Sequence, residues 1–379
     1  MALWDELTGQ AEAIAVVEAA ASPSAPSMTH SWLFTGPPGS GRSNLAFAFA
    51  AALLSSGPQD LDATIAQVDA RTHPDLGVLS TDRVIIAIEE VRKLVASSQF
   101  SPSVGRYRVM IIEDADRMSE RTSNVLLKAL EEPPPRTVWI LCAPSEADLI
   151  PTIRSRVRSV RLRVPDVGEV ARLLERRDGV DADTAARAAR EAQSHIGMAH
   201  RLATNAEARA RRERTLQIAL GIRSVSGAVL AASELLDLAK ADAEAITQER
   251  EAEEREAALR SLGIEPGGTV PPALRAQLKN LEEDQKRRAT RSLRDGIDRI
   301  MVDLLSLYRD ILLLQLGAPG EPINAAVRPA LDDAAAACPP EQTLRTMDAI
   351  ATARERIEGN VAPALALEAM LVTAVRRTA

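Results

Sequence analysis

A glycine-rich segment near the start of the chain has the residues needed to bind phosphate. It follows an apolar run, precedes a helical segment and reads Gly36-Pro37-Pro38-Gly39-Ser40-Gly41-Arg42-Ser43. Glycines allow backbone amides to converge on an anion, and the N-terminus of the next helix adds partial positive charge. The pattern predicts a phosphate-binding loop between a strand and a helix.

Arg42 is where this loop departs from a catalytic pattern. Loops that hydrolyse nucleotides carry lysine at this position, and its compact charge reaches the terminal phosphates. Arginine is longer, planar and forked, so it is not an equivalent replacement. Ser43 keeps the hydroxyl that would hold Mg²⁺. We therefore predict that Gly36, Gly39, Gly41, Arg42 and Ser43 form a degenerate nucleotide site that does not turn over ATP.

Two carboxylates follow a second apolar run, residues 108–112. Nucleotide hydrolases end such a strand with Asp and then Glu, which hold Mg²⁺ and polarise water. Here the order is Glu113 and then Asp114, so the metal ligand is one methylene longer and the base one methylene shorter. A misplacement of about 1 Å can lower a rate about 100-fold. Together with Arg42, this order argues against hydrolysis.

A short segment with two arginines follows a third apolar run, residues 138–142. It reads Pro151-Thr152-Ile153-Arg154-Ser155-Arg156. An exposed arginine here can act as a finger that stabilises phosphoryl-transfer charge across a subunit interface. A surface salt bridge explains the residues equally well. The segment alone leaves both interpretations open.

Strands that alternate with helical segments must position these motifs. Runs of strand length at 32–34, 108–112 and 138–142 alternate with helical patterns at 44–54 and 121–131. Such alternation predicts an α/β domain with a parallel sheet covered by helices on both faces. We place this domain in the first 165 residues.

Helical patterns follow in the rest of the chain. Asp166 and Glu169 form a capping box that opens a small helical domain, residues 166–207. Residues 208–379 show mainly helical periodicity and are predicted to be all-helical. Within them, a charged insertion at about 242–294 is either an exposed helical insertion or a partner-binding coiled coil.

Composition limits the class of protein. The chain has 379 residues, a formal net charge of −7 and two distant cysteines, Cys142 and Cys338. This length suggests two or three domains. The acidic balance suggests that any work on DNA is done within an assembly whose other members are basic. No zinc cluster or disulfide framework is indicated, and no apolar run reaches the roughly 18 residues of a membrane span. We expect a soluble, cytoplasmic protein without a metal site.

Four stretches of the chain resemble the AAA+ clamp-loader family of bacterial DNA polymerase III. Residues 4–10 resemble the family's opening segment, and residues 30–37 its entry into the phosphate loop. The stretch 116–133, which ends Leu-Glu-Glu-Pro, is the most specific signature. Residues 360–371 are similar to the last helix of the family's collar. Within the family, the resemblance points to the delta-prime subunits, in an actinobacterial-like form, and covers about the first 205 residues well.

This resemblance implies a RecA-like domain with a degenerate phosphate loop, a helical lid and a helical collar. It implies that Arg156 is a finger reaching the ATP of a neighbouring subunit. It places Ser145 near the first sensor position and His200 at the second, where active members carry arginine. The zinc cysteines of many members have no counterpart in residues 55–73, so no zinc module is expected.

The implied function is that of a non-hydrolysing stator. It would be part of a ring with the gamma/tau motor subunits and the delta subunit. This ring loads the sliding clamp on primed DNA. No cofactor is required, although ATP or ADP binding without hydrolysis stays open. One alternative is a hydrolysing motor subunit, which Arg42 and the Glu113-Asp114 order disfavour. Another is a remodelling or branch-migration ATPase, which the Leu-Glu-Glu-Pro signature disfavours.

Overall fold

The chain divides into two compact units, Met1–Thr204 and Asn205–Ala379. The computed structural model describes residues 3–4, 7–22, 28–57, 59–81, 85–261 and 275–375, without the side chains of 246–292. The side chains of the predicted charged insertion therefore lie largely outside the described residues.

The first unit alternates strands and helices. Its strands are β1 (Ser31–Thr35), β2 (Leu76–Leu79), β3 (Arg108–Ile112), β4 (Thr137–Ala143) and β5 (Arg158–Arg161). Its helices are α1 (Ala11–Ala21), α2 (Arg42–Leu54), α3 (Leu61–Asp69), α4 (Ile88–Ser98), α5 (Glu120–Glu131), α6 (Pro151–Arg154), α7 (Val167–Asp178), α8 (Ala182–Glu191) and α9 (Ile196–Thr204).

The five strands form one parallel sheet in the order β2-β3-β4-β1-β5. The three central strands are almost entirely buried, because helices cover both faces. Alternate side chains enter different cores: Trp32 and Phe34 pack with α1 and α2, whereas Leu33 and Trp139 pack with α4 and α5. The predicted α/β class is confirmed, as are the three predicted strands.

Three short helices, α7 to α9, follow the sheet. The predicted capping box is present, because the Asp166 carboxylate accepts from the Glu169 amide at 2.7 Å and the Glu169 carboxylate accepts from the Asp166 amide at 2.9 Å. Asp181 caps α8 by accepting from the Thr184 amide at 2.9 Å. Local hydrogen bonds to the first-turn amides thus fix where two of these helices begin.

The second unit is helical wherever it is described as regular structure. Its helices are α10 (Ala206–Leu220), α11 (Val225–Ser261), α12 (Arg275–Gln315), α13 (Arg328–Ala337), α14 (Pro340–Glu358) and α15 (Pro363–Thr373). Helices α11 and α12 approach closely at Gly296, where an added Cβ would lie 2.9 Å from the Ala239 carbonyl oxygen. Among the described residues, none of the helices combines the length and apolarity needed to cross a membrane.

Candidate nucleotide site and arginine finger

The sheet brings three of the predicted motifs to one edge. The glycine-rich loop follows β1, Glu113 follows β3, and Ser145 follows β4, which lies between the other two strands. Because parallel strands end at the same edge, these segments are neighbours, and the Gly36 amide donates to the Pro144 carbonyl at 3.1 Å. This edge is where ligands bind in open α/β sheets.

The glycine-rich loop has the backbone of an anion-binding turn. Gly39 and Gly41 have φ values of +78° and +91°, a region that side chains disfavour. Helix α2 begins at Arg42 without a side-chain cap, so its first amides face the loop. Gln10 holds the loop from outside, because its side chain donates to the Ser40 carbonyl at 3.2 Å and to the Arg163 carbonyl at 2.8 Å.

His195, in the turn between α8 and α9, lies against this loop. An added Cβ on Gly39 would lie 2.5–2.7 Å from three ring atoms of His195. The His195 ring caps α9 at the same time, since its Nδ1 accepts from the Met198 amide at 3.2 Å. The two preceding residues, Gln193 and Ser194, both have positive φ. A strained turn therefore holds the ring against the loop.

Three polar atoms of this region are buried without a hydrogen-bond partner among the described residues. They are Ser40 Oγ, Arg42 Nη1 and Asp116 Oδ1. Burial raises the pKa of Asp116 above its usual value and the charge of Asp114 adds to this, while Arg117 and Arg42 oppose it. Arg42 therefore lies near the strand-end carboxylates.

Glu113 is already engaged in an ion pair. Its Oε1 lies 2.9 Å from Nη2 of Arg71, and its side chain is 13% exposed. Arg71 follows α3, has a φ of +56° and lies over the Phe47 ring at 5.3 Å. The carboxylate at the position of a magnesium ligand thus has a protein cation as its partner.

The two predicted sensor residues also make local contacts. Ser145 is exposed, and its hydroxyl accepts from the Ala147 amide at 3.2 Å, so it caps a short turn. The Nδ1 of His200 lies 2.8 Å from a carboxylate oxygen of Asp178, which also pairs with Arg177. Although burial pushes the pKa of Asp178 up, hydrogen bonds from Arg177 and His200 bring it below its usual value. Ser145 is thus held within its own turn, whereas His200 is held by the end of α7.

Arg156 lies two residues after the end of α6. Three residues bind its guanidinium group. Its Nε donates to Glu131 Oε1 at 2.6 Å, and its Nη2 lies 2.5 Å from the same oxygen. Its Nη1 donates to the Thr152 carbonyl at 2.8 Å and to the Ser155 hydroxyl at 3.0 Å. The side chain is 34% exposed, whereas Arg154 is exposed two residues away.

Comparison with known proteins finds similarity to subunits of DNA polymerase III. Residues 9–166 match the family described as DNA polymerase III, delta subunit. The chain is 29% identical over 243 residues to the DNA polymerase III subunit delta' of Pseudomonas aeruginosa, which covers 62% of this chain and 69% of that protein. The chain is therefore similar to a DNA polymerase III delta' subunit over most of that subunit's length.

Two further similarities are more distant. The chain is 28% identical over 193 residues to the DNA polymerase III subunit gamma/tau of Mycobacterium tuberculosis, which covers 48% of this chain and 33% of that protein. It therefore spans about a third of that relative. A DNA polymerase III, gamma subunit-related protein from Thermotoga maritima aligns with a TM-score of 0.42 and 17% identity, over 98% of this chain and all of that one.

The folded chain brings some of the predicted site residues together and leaves others apart. Its loop glycines, Arg42, Glu113 and Asp114 share one edge of the sheet, as their places after β1 and β3 require. Three partners were missed by sequence reasoning: Arg71 on Glu113, His195 on Gly39 and Glu131 on Arg156. Each lies far along the chain from its partner. The one available signal was Glu131, since it belongs to the Leu-Glu-Glu-Pro signature.

Proposed function

We propose that this chain is the delta-prime subunit of a DNA polymerase III clamp loader and works as a stator. In this role it does not hydrolyse ATP. Its Arg156 reaches the ATP of a neighbouring gamma/tau subunit and stabilises the charge of phosphoryl transfer there. The names of the relatives and the matched family support a place in the clamp loader.

The observation that carries the non-hydrolysing role is the ion pair of Glu113 with Arg71. A working site needs a carboxylate free to hold Mg²⁺ beside the terminal phosphates. Here that carboxylate would have to leave a cation 2.9 Å away before it could bind a metal. Arg42, in place of the catalytic lysine, adds a second fault at the same edge.

The contacts between the lid and the sheet domain support the stator role. His195 lies against Gly39, and Arg163 of the sheet domain pairs with Glu169 of the lid at 2.5 Å. A motor subunit must let its lid respond to nucleotide, because that movement transmits hydrolysis. These two contacts would hold the lid against the sheet domain, as a fixed member of a ring requires.

The proposal includes the partners and place of action. The chain would join gamma/tau motor subunits and a delta subunit through its second unit, and would act on the sliding clamp and primed DNA only through the complex. It requires no cofactor for this role. It would work in the cytoplasm with the replicative polymerase.

The test is the ATPase activity of the purified protein with Mg²⁺. We expect no turnover, and we expect Arg42→Lys alone to leave it absent because Glu113 remains paired and out of order. A rate of about 1 s⁻¹, within the range of working enzymes, would instead favour a hydrolysing motor subunit. A gamma/tau motor subunit measured in parallel is the positive control.

A further inference from the structure

The contacts of Arg156 point to a role for Glu131, a residue of the Leu-Glu-Glu-Pro signature. The guanidinium presents its Nε and Nη2 edge to Glu131, at 2.6 Å and 2.5 Å from the same oxygen. Its Nη1 donates to the carbonyl of Thr152, the second residue of α6. One side of the guanidinium therefore faces a carboxylate, and the other faces groups that a stronger acceptor can displace.

The two residues that meet here stand on rigid supports. Glu131 is the last residue of α5, which is anchored by the fully buried Leu126 and Leu130. Arg156 follows α6, which is anchored by the fully buried Ile153. A carboxylate on one helix thus fixes the plane of a long side chain that would otherwise sample many rotamers.

Stability does not explain this pair. The Arg156 and Glu131 side chains are 34% and 46% exposed, and ion pairs at such exposure contribute about 0–1 kcal/mol. Orientation of the Arg156 guanidinium does explain the pair. A phosphate that bound the Nη1 side would displace the Thr152 carbonyl, a neutral acceptor, while Glu131 kept its hold on Nε. The finger would then be oriented before the neighbouring subunit arrived.

We propose that Glu131 is a positioning residue that orients Arg156 for the ATP site of the neighbouring subunit. This inference rests on the proposed function, because it requires Arg156 to act in trans. Glu131 does not touch the nucleotide and acts only through the arginine.

The experiment is a double-mutant cycle in a reconstituted clamp loader with gamma/tau and delta subunits, clamp and primed DNA. Glu131→Gln keeps the size of the side chain and removes its charge. In single-turnover ATP hydrolysis, the phase that Arg156→Ala slows belongs to the site that depends on Arg156. We expect Glu131→Gln to slow this phase about 10-fold, below the roughly 100-fold of a 1 Å misplacement, since the Thr152 contact remains. The nucleotide concentration for half-maximal rate should stay unchanged.

The matched control is Glu132→Gln, because Glu132 is the exposed neighbour of Glu131. It should hydrolyse ATP at the wild-type rate. The variant with both Glu131→Gln and Arg156→Ala should be no slower than Arg156→Ala alone. Size-exclusion chromatography of each loader verifies that the variant subunit assembles.

The outcomes separate this inference from the proposed function. Additive losses in the double variant would show that Glu131 acts apart from Arg156, which overturns the inference. Faster hydrolysis at the Arg156-dependent site in Glu131→Gln would also overturn it, because Glu131 would then restrain the finger. A wild-type rate with Arg156→Ala would refute the finger itself. A loss with Arg156→Ala and none with Glu131→Gln would refute the positioning alone.

Discussion

Two regions of the first unit differ in whether their polar atoms have hydrogen-bond partners. The phosphate-loop region, residues 36–43 with 113–116, buries Ser40 Oγ, Arg42 Nη1 and Asp116 Oδ1 without hydrogen-bond partners in the part of the chain that is described. The finger region, Glu131 with 152–156, engages Nε, Nη1 and Nη2 of its arginine. Each buried unsatisfied group costs about 1–3 kcal/mol. The arginine expected to act in trans is therefore held by protein hydrogen bonds, whereas the phosphate-loop region keeps polar atoms without a partner among the described residues.

The largest expected effect breaks the finger. Arg156→Ala should lower ATP hydrolysis about 10³-fold at the one dependent site of a reconstituted loader, because it removes the charge that stabilises phosphoryl transfer. Since other sites continue to work, total ATPase falls modestly while clamp loading falls more. The measurement is DNA- and clamp-stimulated ATPase together with loading of labelled clamp.

Two variants serve as controls for the finger. Arg154 is a matched control, because it is an exposed arginine only two residues away. Arg154→Ala should lower loader activity much less than Arg156→Ala. Arg42→Lys should leave loader activity unchanged, since it alters only the phosphate-loop region. Equal defects in Arg154→Ala and Arg156→Ala, or normal loading with Arg156→Ala, would contradict the assignment.

The next effect concerns a buried carboxylate whose acceptors are filled, unlike those of Asp116. Burial alone would raise the pKa of Asp75, but hydrogen bonds from the amides of Ser103, Val104 and Gly105 and from the Ser103 hydroxyl hold it at about 2. Because this folded-state pKa lies below the unfolded one, Asp75 stabilises the fold above about pH 4 and loses that effect as the pH falls towards 2. Asp75→Asn should lower the free energy of unfolding by about 2–3 kcal/mol at pH 7.

Urea denaturation at several pH values checks this prediction. The difference between wild type and Asp75→Asn should narrow between about pH 4 and pH 2. Asp69→Asn, at an exposed position, should change stability by less than about 0.5 kcal/mol. A difference for Asp75→Asn that did not depend on pH would show that its charge is not the cause.

A smaller effect tests the contact between lid and loop. Gly39→Ala should lower stability by about 2 kcal/mol, partly from its φ of +78° and partly from collision with His195. Adding His195→Ala should recover the second part only. Gly41→Ala is the matched control, because its φ is +91° but its Cβ would meet only Leu7 at an ordinary 3.4 Å. Equal recovery of both variants by His195→Ala would rule out a specific contact.

The smallest effect concerns Asp116. Its raised pKa means that the charged carboxylate is disfavoured in the fold, so Asp116→Asn should raise the free energy of unfolding at pH 7 by less than about 1 kcal/mol. The gain should vanish below the unfolded-state pKa, where both states are protonated. A loss of stability in urea denaturation at pH 7 would indicate that the charge of Asp116 is compensated.

Much of the first unit follows from local patterns. The runs 109–112 and 138–142 are apolar throughout, so they predict strands buried on both faces, and Asp166 with Glu169 predicts the start of a helix. Strands β2 and β5 escaped prediction for physical reasons. Strand β2 contains Gly77, which the sheet accepts because Met110 and Leu94 fill its space. In β5, Val160 alone is buried, so no apolar pattern is left to detect.

The candidate site was predictable in its members but not in their partners. The loop and the strand-end carboxylates have fixed spacings from their strands, so their meeting follows from a parallel sheet. The pairing of Glu113 with Arg71 depends on how the turn after α3 folds back, which no spacing encodes. The same is true of His195 and Gly39, which are 156 positions apart in the numbering. The roles assigned to the site residues stay predictions.

The two cores of the sheet also give the molecule an optical reporter. The chain has three tryptophans, Trp4, Trp32 and Trp139, all in the first unit. Trp32 and Trp139 are fully buried on opposite faces of the sheet, so indole fluorescence registers the loss of either core. The second unit contains none and contributes to far-ultraviolet dichroism through its helices. Unfolding of the sheet domain can therefore be followed by the wavelength of tryptophan emission, without labels and separately from the second unit.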